Sequence, residues 1–208
     1  MNTTTSNCCI EDERLAVLRQ LLGAATHDAS AAMCRWTDGL ITMALDEVRE
    51  IPLDEVCREI RLDDELLTMV VLNMEGDVGG ALILAFDEQN ARHLAAALLG
   101  RPVEEQVPWS ELEKSALTET GNILGCAYMN AITRLIDREL VPSAPYFIQD
   151  YGASVIQQAL AAQAAASDEV LICRTAFVRQ EEQLNWHVLF VPTEPLRRAM
   201  EQAFHGAR

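Results

Sequence analysis

No proline occurs between Pro108 and Pro142, and the residues just after Pro108 carry a well-marked helix start. Ser110 stands three residues before Glu113, the spacing at which a hydroxyl and a carboxylate satisfy each other's backbone amides. The stretch W-S-E-L-E-K-S-A-L-T-E-T-G-N-I-L-G-C-A-Y-M-N-A-I-T-R-L-I-D-R-E-L-V-P-S-A-P, Trp109 to Pro145, is therefore expected to be mostly one long helix. At about 100° per residue, Leu112, Ala116, Leu117, Ile123, Leu124, Ala127, Ala131 and Leu135 share a broad side that calls for burial. Ser115, Glu119 and Asn122, spaced i, i+4, i+7, share another. A hydroxyl, a carboxylate and a carboxamide thus line one narrow stripe on rigid backbone.

Everything else in the chain has to be arranged around that helix. From Glu11 to Leu45 apolar residues also recur at helical spacing, which predicts a long helix or two abutting ones after a flexible lead of residues 1–10. An extended segment is expected from Ile51 and Pro52. Strands are expected at Leu67–Met74 and Val78–Phe86, with Glu75-Gly76-Asp77 turning between them. Asp87 is placed to cap a short helix that stops at Gly100. After the central helix the order repeats: an extended piece from Pro145, an alanine-rich helix at Ser154–Ala166, strands at Glu169–Val178 and Leu184–Val191, and a helix at Thr193–Phe204 ending near Gly206.

The two short terminal helices align at an offset of 106, pairing Glu88 with Glu194, Arg92 with Arg198 and Gly100 with Gly206. An offset of 93 pairs Pro52 with Pro145. Two repeats of about 11–105 and 106–208 are expected in one domain, each covering the other's exposed helix and sheet faces. The order of elements predicts an α+β fold, a mainly antiparallel sheet carrying two long related helices and shorter ones. At the offset of 93, Leu22, Thr26 and Ala29 stand where Ser115, Glu119 and Asn122 stand. No E-x-x-N occurs in residues 1–60, so one stripe per chain is expected.

Composition removes several alternatives. Thirty-two acidic against sixteen basic residues give a formal charge of −16, which repels nucleic acid and anionic lipid. The amino-terminal residues have no basic segment followed by an apolar core, and no apolar run is long enough to span a bilayer, which favours a cytoplasmic protein. His27, His93, His187 and His205 are scattered, and the six cysteines, Cys8-Cys9 apart, lack metal-ligand spacing, so no metal site is expected. Phosphate-binding loops of the G-x-x-x-x-G-K-[S/T] kind and G-x-S-x-G elbows are missing, so any chemistry must borrow groups from a partner.

With Pro145 included, the stripe reads S-x3-E-x2-N-x22-P. In that pattern the sequence resembles the CheC/CheX/FliY family of response-regulator phosphatases, whose active-site pattern is [D/S]-x3-E-x2-N-x22-P. The resemblance implies a CheC-like duplicated fold and hydrolysis of the aspartyl phosphate of a CheY-like regulator in chemotaxis signalling. It implies that Asn122 orients the attacking water and that Glu119 contacts the regulator through its active-site lysine. Ser115 would lie at the edge of that contact, and Pro145 would shape the strand entry without doing chemistry. No cofactor of the chain's own is implied, because the regulator brings its Mg²⁺. Other readings within the resemblance are a binding protein that sequesters phosphorylated regulator or docks the deamidase CheD, and a structural part of the flagellar switch. Duplicated halves that satisfy each other within one chain favour a monomer.

Overall fold

The computed structural model describes residues 4–52, 55, 58, 66–75, 78–104, 108–152, 154, 169–179 and 182–206. The elements are α1 (Thr4–Trp36), β1 (Thr42–Pro52), β2 (Leu66–Glu75), β3 (Gly80–Asp87), α2 (Glu88–Leu99), α3 (Glu111–Ile136), β4 (Val141–Pro142), β5 (Tyr146–Tyr151), β6 (Glu169–Arg179), β7 (Glu182–Pro192) and α4 (Glu194–Gly206). Of the alanine-rich stretch Ser154–Ala166 only Ser154 is among the described residues, and the turn at Gly76-Asp77 lies outside them.

Two boundaries differ from expectation. α1 starts at Thr4 rather than after residue 10, and it stops at Trp36 rather than running toward Leu45. Asp38 and Gly39 have φ of 50° and 84°, a left-handed pair that ends the helix and turns the chain. β1 then begins at Thr42, well before Ile51. Leu40 and Met43 fit the helical spacing of the residues before them, so periodicity alone carries the helix too far.

The seven strands form one antiparallel sheet in the order β1-β6-β7-β3-β2-β4, with β5 also on β2. Its register shows the duplication directly. β3 and β7 pair at the centre, from Gly80 with Pro192 to Ala85 with His187. Each half then sends its first strand across to the other half: β1 pairs with β6, and β4 and β5 pair with β2. The same irregularity appears in both exchanges. On β1 one extra residue intervenes between the pairs Leu45–Thr175 and Glu47–Arg174. On the β4–β5 strand one extra residue intervenes between Met74–Pro142 and Val71–Tyr146. Such a bulge bends an edge strand and leaves it a poor template for further pairing.

The burial pattern of the long helices sets their equivalence at an offset of 99, not 93. Leu18, Leu22, Ala25, Thr26, Ala29, Met33 and Thr37 are all buried. So are Leu117, Gly121, Leu124, Gly125, Tyr128, Ile132 and Ile136, each 99 positions on. The same offset carries β1 (42–52) onto 141–151, the span of β4 and β5, and the bulge residue Asp46 onto Pro145. Pro52 is therefore not the counterpart of Pro145. A proline match across an alanine-rich alignment misled the register because side-chain burial, the property that fixes it, is not written in residue names.

Both long helices pack on the same face of the sheet and share one core. Inside it the Tyr128 hydroxyl lies 2.9 Å from Thr26 Oγ1 and 3.4 Å from Thr175 Oγ1, joining α3 to α1 and to β6. Burial pushes that phenol far above its ordinary range, so it stays a neutral hydrogen-bonding group. A second apolar cluster, including Leu67, Met69, Ile83, Ile172 and Leu189, occupies the opposite face of the sheet.

Candidate active site

The root of α3 is held more firmly than the sequence suggested. Ser110 Oγ accepts from the Glu113 amide at 3.3 Å, and the Ser110 amide donates to Glu113 Oε2 at 2.8 Å, completing the capping box. Glu113 is buried, and Arg101 and Arg92 approach its carboxylate at 3.3 and 3.7 Å. Burial would raise the Glu113 carboxyl. The Ser110 hydrogen bonds and the two guanidinium groups outweigh it and hold the group below its ordinary value. Arg92 also lies 3.7 Å over the Trp109 ring, which meets Phe147 edge-on at 5.5 Å. The helix start is thereby tied to α2 and to β5.

Further along, two glycines set how close the helix lies to the sheet. A Cβ on Gly121 would come within 2.5 Å of Val70 Cγ1, and one on Gly125 within 2.8 Å of Leu72 Cδ2. A side chain at Gly121 would have to displace the stiff Val70, and one at Gly125 the end of Leu72, so the G-x3-G edge of α3 lies close against β2. Rotating the helix to hide the Ser115–Asn122 line would force that edge out, and the polar line faces outward as a consequence.

Ser115 and Glu119 are exposed and Asn122 is half-buried, all on one line of α3. Leu112 was expected in the core. It is instead 59% exposed and extends the same line one turn toward the helix start. Spacing marks it, since 112, 115, 119 and 122 continue one i, i+3, i+4 series, whereas hydrophobicity alone places it in the core. Pro145 lies elsewhere, on the sheet between β4 and β5, where the edge strand bulges. It is brought to the level of the glycine edge through β2, with Val70 and Leu72 standing between sheet edge and helix.

Asn122 also lines the mouth of a groove of about 420 Å³ between α1 and α3, with Cys126, Asn130 and Arg134 on one wall and Ala25, Asp28 and Ala29 on the other. Its carboxamide oxygen accepts a hydrogen bond from Cys126 Sγ at 3.4 Å, one helical turn on. Burial and the Glu119 carboxylate both raise the Cys126 thiol, which keeps it protonated and able to donate.

On α1, the residues 99 positions before the stripe are Ala16, Gln20 and Gly23. Their exposure follows the same pattern, exposed, exposed and half-buried, but they offer no hydroxyl, no charge and no carboxamide at the last position. Leu22, Thr26 and Ala29 are core residues and were never the vacated site. Among the described residues, no three His, Cys, Asp or Glu side chains are grouped to hold a metal, and no helix is long and apolar enough to cross a membrane.

No protein-family model matches the chain. It is 25% identical over 187 residues to the CheY-P phosphatase CheC of Bacillus subtilis, across 88% of this chain and 90% of that protein. Its fold superimposes on the crystal structure of Thermotoga maritima FliY with a TM-score of 0.72, at 14% identity, over 94% of this chain and 98% of that one. The sequence likeness supports membership of the CheC/CheX/FliY family, and the fold agrees with it. A further structure with this fold is the CheX-CheY-BeF3-Mg+2 complex of Borrelia burgdorferi, matched at a TM-score of 0.51 and 18% identity over 82% of this chain and 97% of that one. In this chain the S-x3-E-x2-N line faces outward on one helix, and the residues 99 positions earlier on the other offer only the Gln20 amide.

Proposed function

We propose that this protein hydrolyses the aspartyl phosphate of a CheY-like response regulator, using one stripe, Ser115, Glu119 and Asn122. The observation that carries the reading is the outward orientation of that line on a helix whose other edges are packed, in a chain similar to a CheY-P phosphatase over 88% of its length. The structural neighbour solved as a CheX-CheY complex supports a receiver-type partner.

The chemistry asked of the stripe is modest. An acyl phosphate is already activated, and the regulator brings the Mg²⁺ and the lysine that neutralise the phosphoryl oxygens. Water adds to phosphorus, the bond to the aspartyl oxygen breaks, and the products are a carboxylate and inorganic phosphate, which takes up the water's proton. What remains is positioning, as in other phosphoryl transfers. Asn122 orients the water: the second lone pair of its oxygen accepts from it, and its NH₂ faces the phosphoryl group. Glu119, one turn back, pairs with the regulator's lysine. Ser115 adds a hydrogen bond at the rim, and Leu112 supplies an apolar contact beside it. Pro145 acts only through the shape of the edge strand. In this reading the protein works in the cytoplasm, without a cofactor of its own, as a monomer whose two halves complete each other. CheD docking would engage another surface.

The test is the rate of phosphate loss from a phosphorylated CheY-type regulator with and without the protein, beside the Asn122→Ala variant. Acceleration that vanishes in the variant supports the reading. Binding that depends on phosphorylation, with no acceleration, would replace it with a sequestering role.

A further inference from the structure

A carboxamide that orients water has a handedness problem. Its oxygen and nitrogen are nearly the same size, and a half-turn about the terminal torsion exchanges acceptor for donor at the reacting position. In water the two orientations interconvert freely, and only one of them presents an acceptor to a nucleophilic water. A partner that donates to the oxygen, and cannot accept from the NH₂ equally well, breaks that symmetry.

Cys126 is placed to do this. It lies on the groove wall one turn beyond Asn122, and its Sγ stands 3.4 Å from Asn122 Oδ1. We infer that Cys126 is a positioning residue for the hydrolysis: its S–H donates to Asn122 Oδ1, selects the productive carboxamide orientation and leaves the other lone pair for the attacking water. This inference rests on the phosphatase reading above. The thiol is a donor here because burial and the nearby Glu119 carboxylate disfavour its thiolate. It is only half-buried, so its place on the helix is not dictated by core packing, unlike Cys173 on β6, which is fully buried in the core. The symmetry-related position on α1 is His27, opposite a Gly23 that has no carboxamide to orient. The vacated half therefore keeps neither member of the pair.

The experiment uses the full chain with a phosphorylated CheY-type regulator and compares Cys126→Ala and Cys126→Ser with wild type. A thiol hydrogen bond of ordinary net strength predicts a loss of roughly 3- to 10-fold in kcat for Cys126→Ala, with KM unchanged. Cys126→Ser, which restores a donor, recovers most of it. In an Asn122→Ala background, Cys126→Ala has no further effect. In parallel, the side-chain amide order parameter of Asn122, read by ¹⁵N relaxation in the free protein, falls in Cys126→Ala and returns in Cys126→Ser. Equal kcat in wild type and Cys126→Ala, a loss that serine does not rescue, or an Asn122 amide equally mobile in all three would each overturn the inference. Wild type that accelerates nothing would overturn the phosphatase reading instead, and with it the catalytic meaning of Cys126. The relaxation measurement would still report whether the thiol holds the amide.

Discussion

α1 and α3 occupy equivalent places in the duplicated sheet, bury the same seven positions and differ almost entirely in what they show to solvent. On α3 the outward line reads Leu112, Ser115, Glu119, Asn122; on α1 it reads Glu13, Ala16, Gln20, Gly23. Their inner edges differ in the opposite sense. α3 has Gly121 and Gly125 where α1 has Leu22 and Thr26, so α3 approaches the sheet by its backbone and α1 by its side chains. The half that presents functional groups is the half whose orientation is fixed by the tightest fit. In the proposed mechanism, a helix that holds a carboxamide at a partner's reacting atom gains from having no freedom to roll, and a helix that only fills a core does not need that constraint.

The comparison is broken most severely at Asn122. Asn122→Ala should lower turnover of phosphorylated regulator by roughly 10²- to 10³-fold, the usual effect of losing one group that stabilises or orients in the transition state. Binding of the phosphorylated regulator, measured by titration, should change little. Next in size is its reversal. Ala16→Ser, Gln20→Glu and Gly23→Asn together rebuild S-x3-E-x2-N on α1, and a Cβ at Gly23 meets only Leu45 Cδ2 at 3.9 Å, so the new side chain has room. Placed in the Asn122→Ala background, this triple variant should recover measurable turnover. No recovery in a folded protein would mean that the surroundings of the α1 line, as well as its residues, have diverged.

The fold was readable where local chemistry decides it. Ser110 with Glu113, Asp87 three residues before Asn90, and Gly100 at φ 63° all mark helix ends whose hydrogen bonds are made within a few residues. The strand pairs Leu66–Glu75 with Gly80–Asp87 and Glu169–Arg179 with Glu182–Pro192 were legible for the same reason, being hairpins. β1 was not, because its partner is β6, more than a hundred residues away, and nothing local distinguishes its first residues from a continued helix. The stripe's three polar members were legible from spacing. Leu112 and Cys126 were not, since one looks like core and the other like an ordinary buried thiol until the helix's rotation is known.

That rotation can be tested by stability. Gly121→Ala drives a methyl into Val70 and should destabilise the fold by about 1–3 kcal/mol, as overpacking does. Gly23→Ala, in open surroundings on a helix, should be neutral or raise stability by up to about 1 kcal/mol. Urea unfolding of the two variants reads both signs. Leu112→Ala should raise KM for the phosphorylated regulator about 3-fold to 10-fold with kcat unchanged, because an exposed apolar side chain can contribute to association but not to the chemical step. An unaltered KM would remove Leu112 from the contact.

The smallest effect lies at the helix root, where α3 has the buried Glu113 and α1 has Arg14 paired with Glu50. The Glu113 carboxyl is held below its ordinary value of 4.5, so its stabilising contribution is complete above that pH and is lost as pH falls through the lower folded-state value. Glu113→Gln should lower stability at neutral pH and flatten the profile below about pH 4.5, where the wild type has already lost this contribution. Urea midpoints at pH 3 and pH 7 would show it.

The exchanged edge strands carry a consequence for how such a chain could arise and diverge. Neither half can complete its own sheet, because β1 belongs beside β6 and β5 beside β2. As separate identical polypeptides, two such halves would interlock as a symmetric pair, and any change to one outward line would appear on both. Joined in a single chain, the copies are free to drift apart while the shared strands still force them to fold together. One helix can then keep a demanding surface while the other becomes a brace.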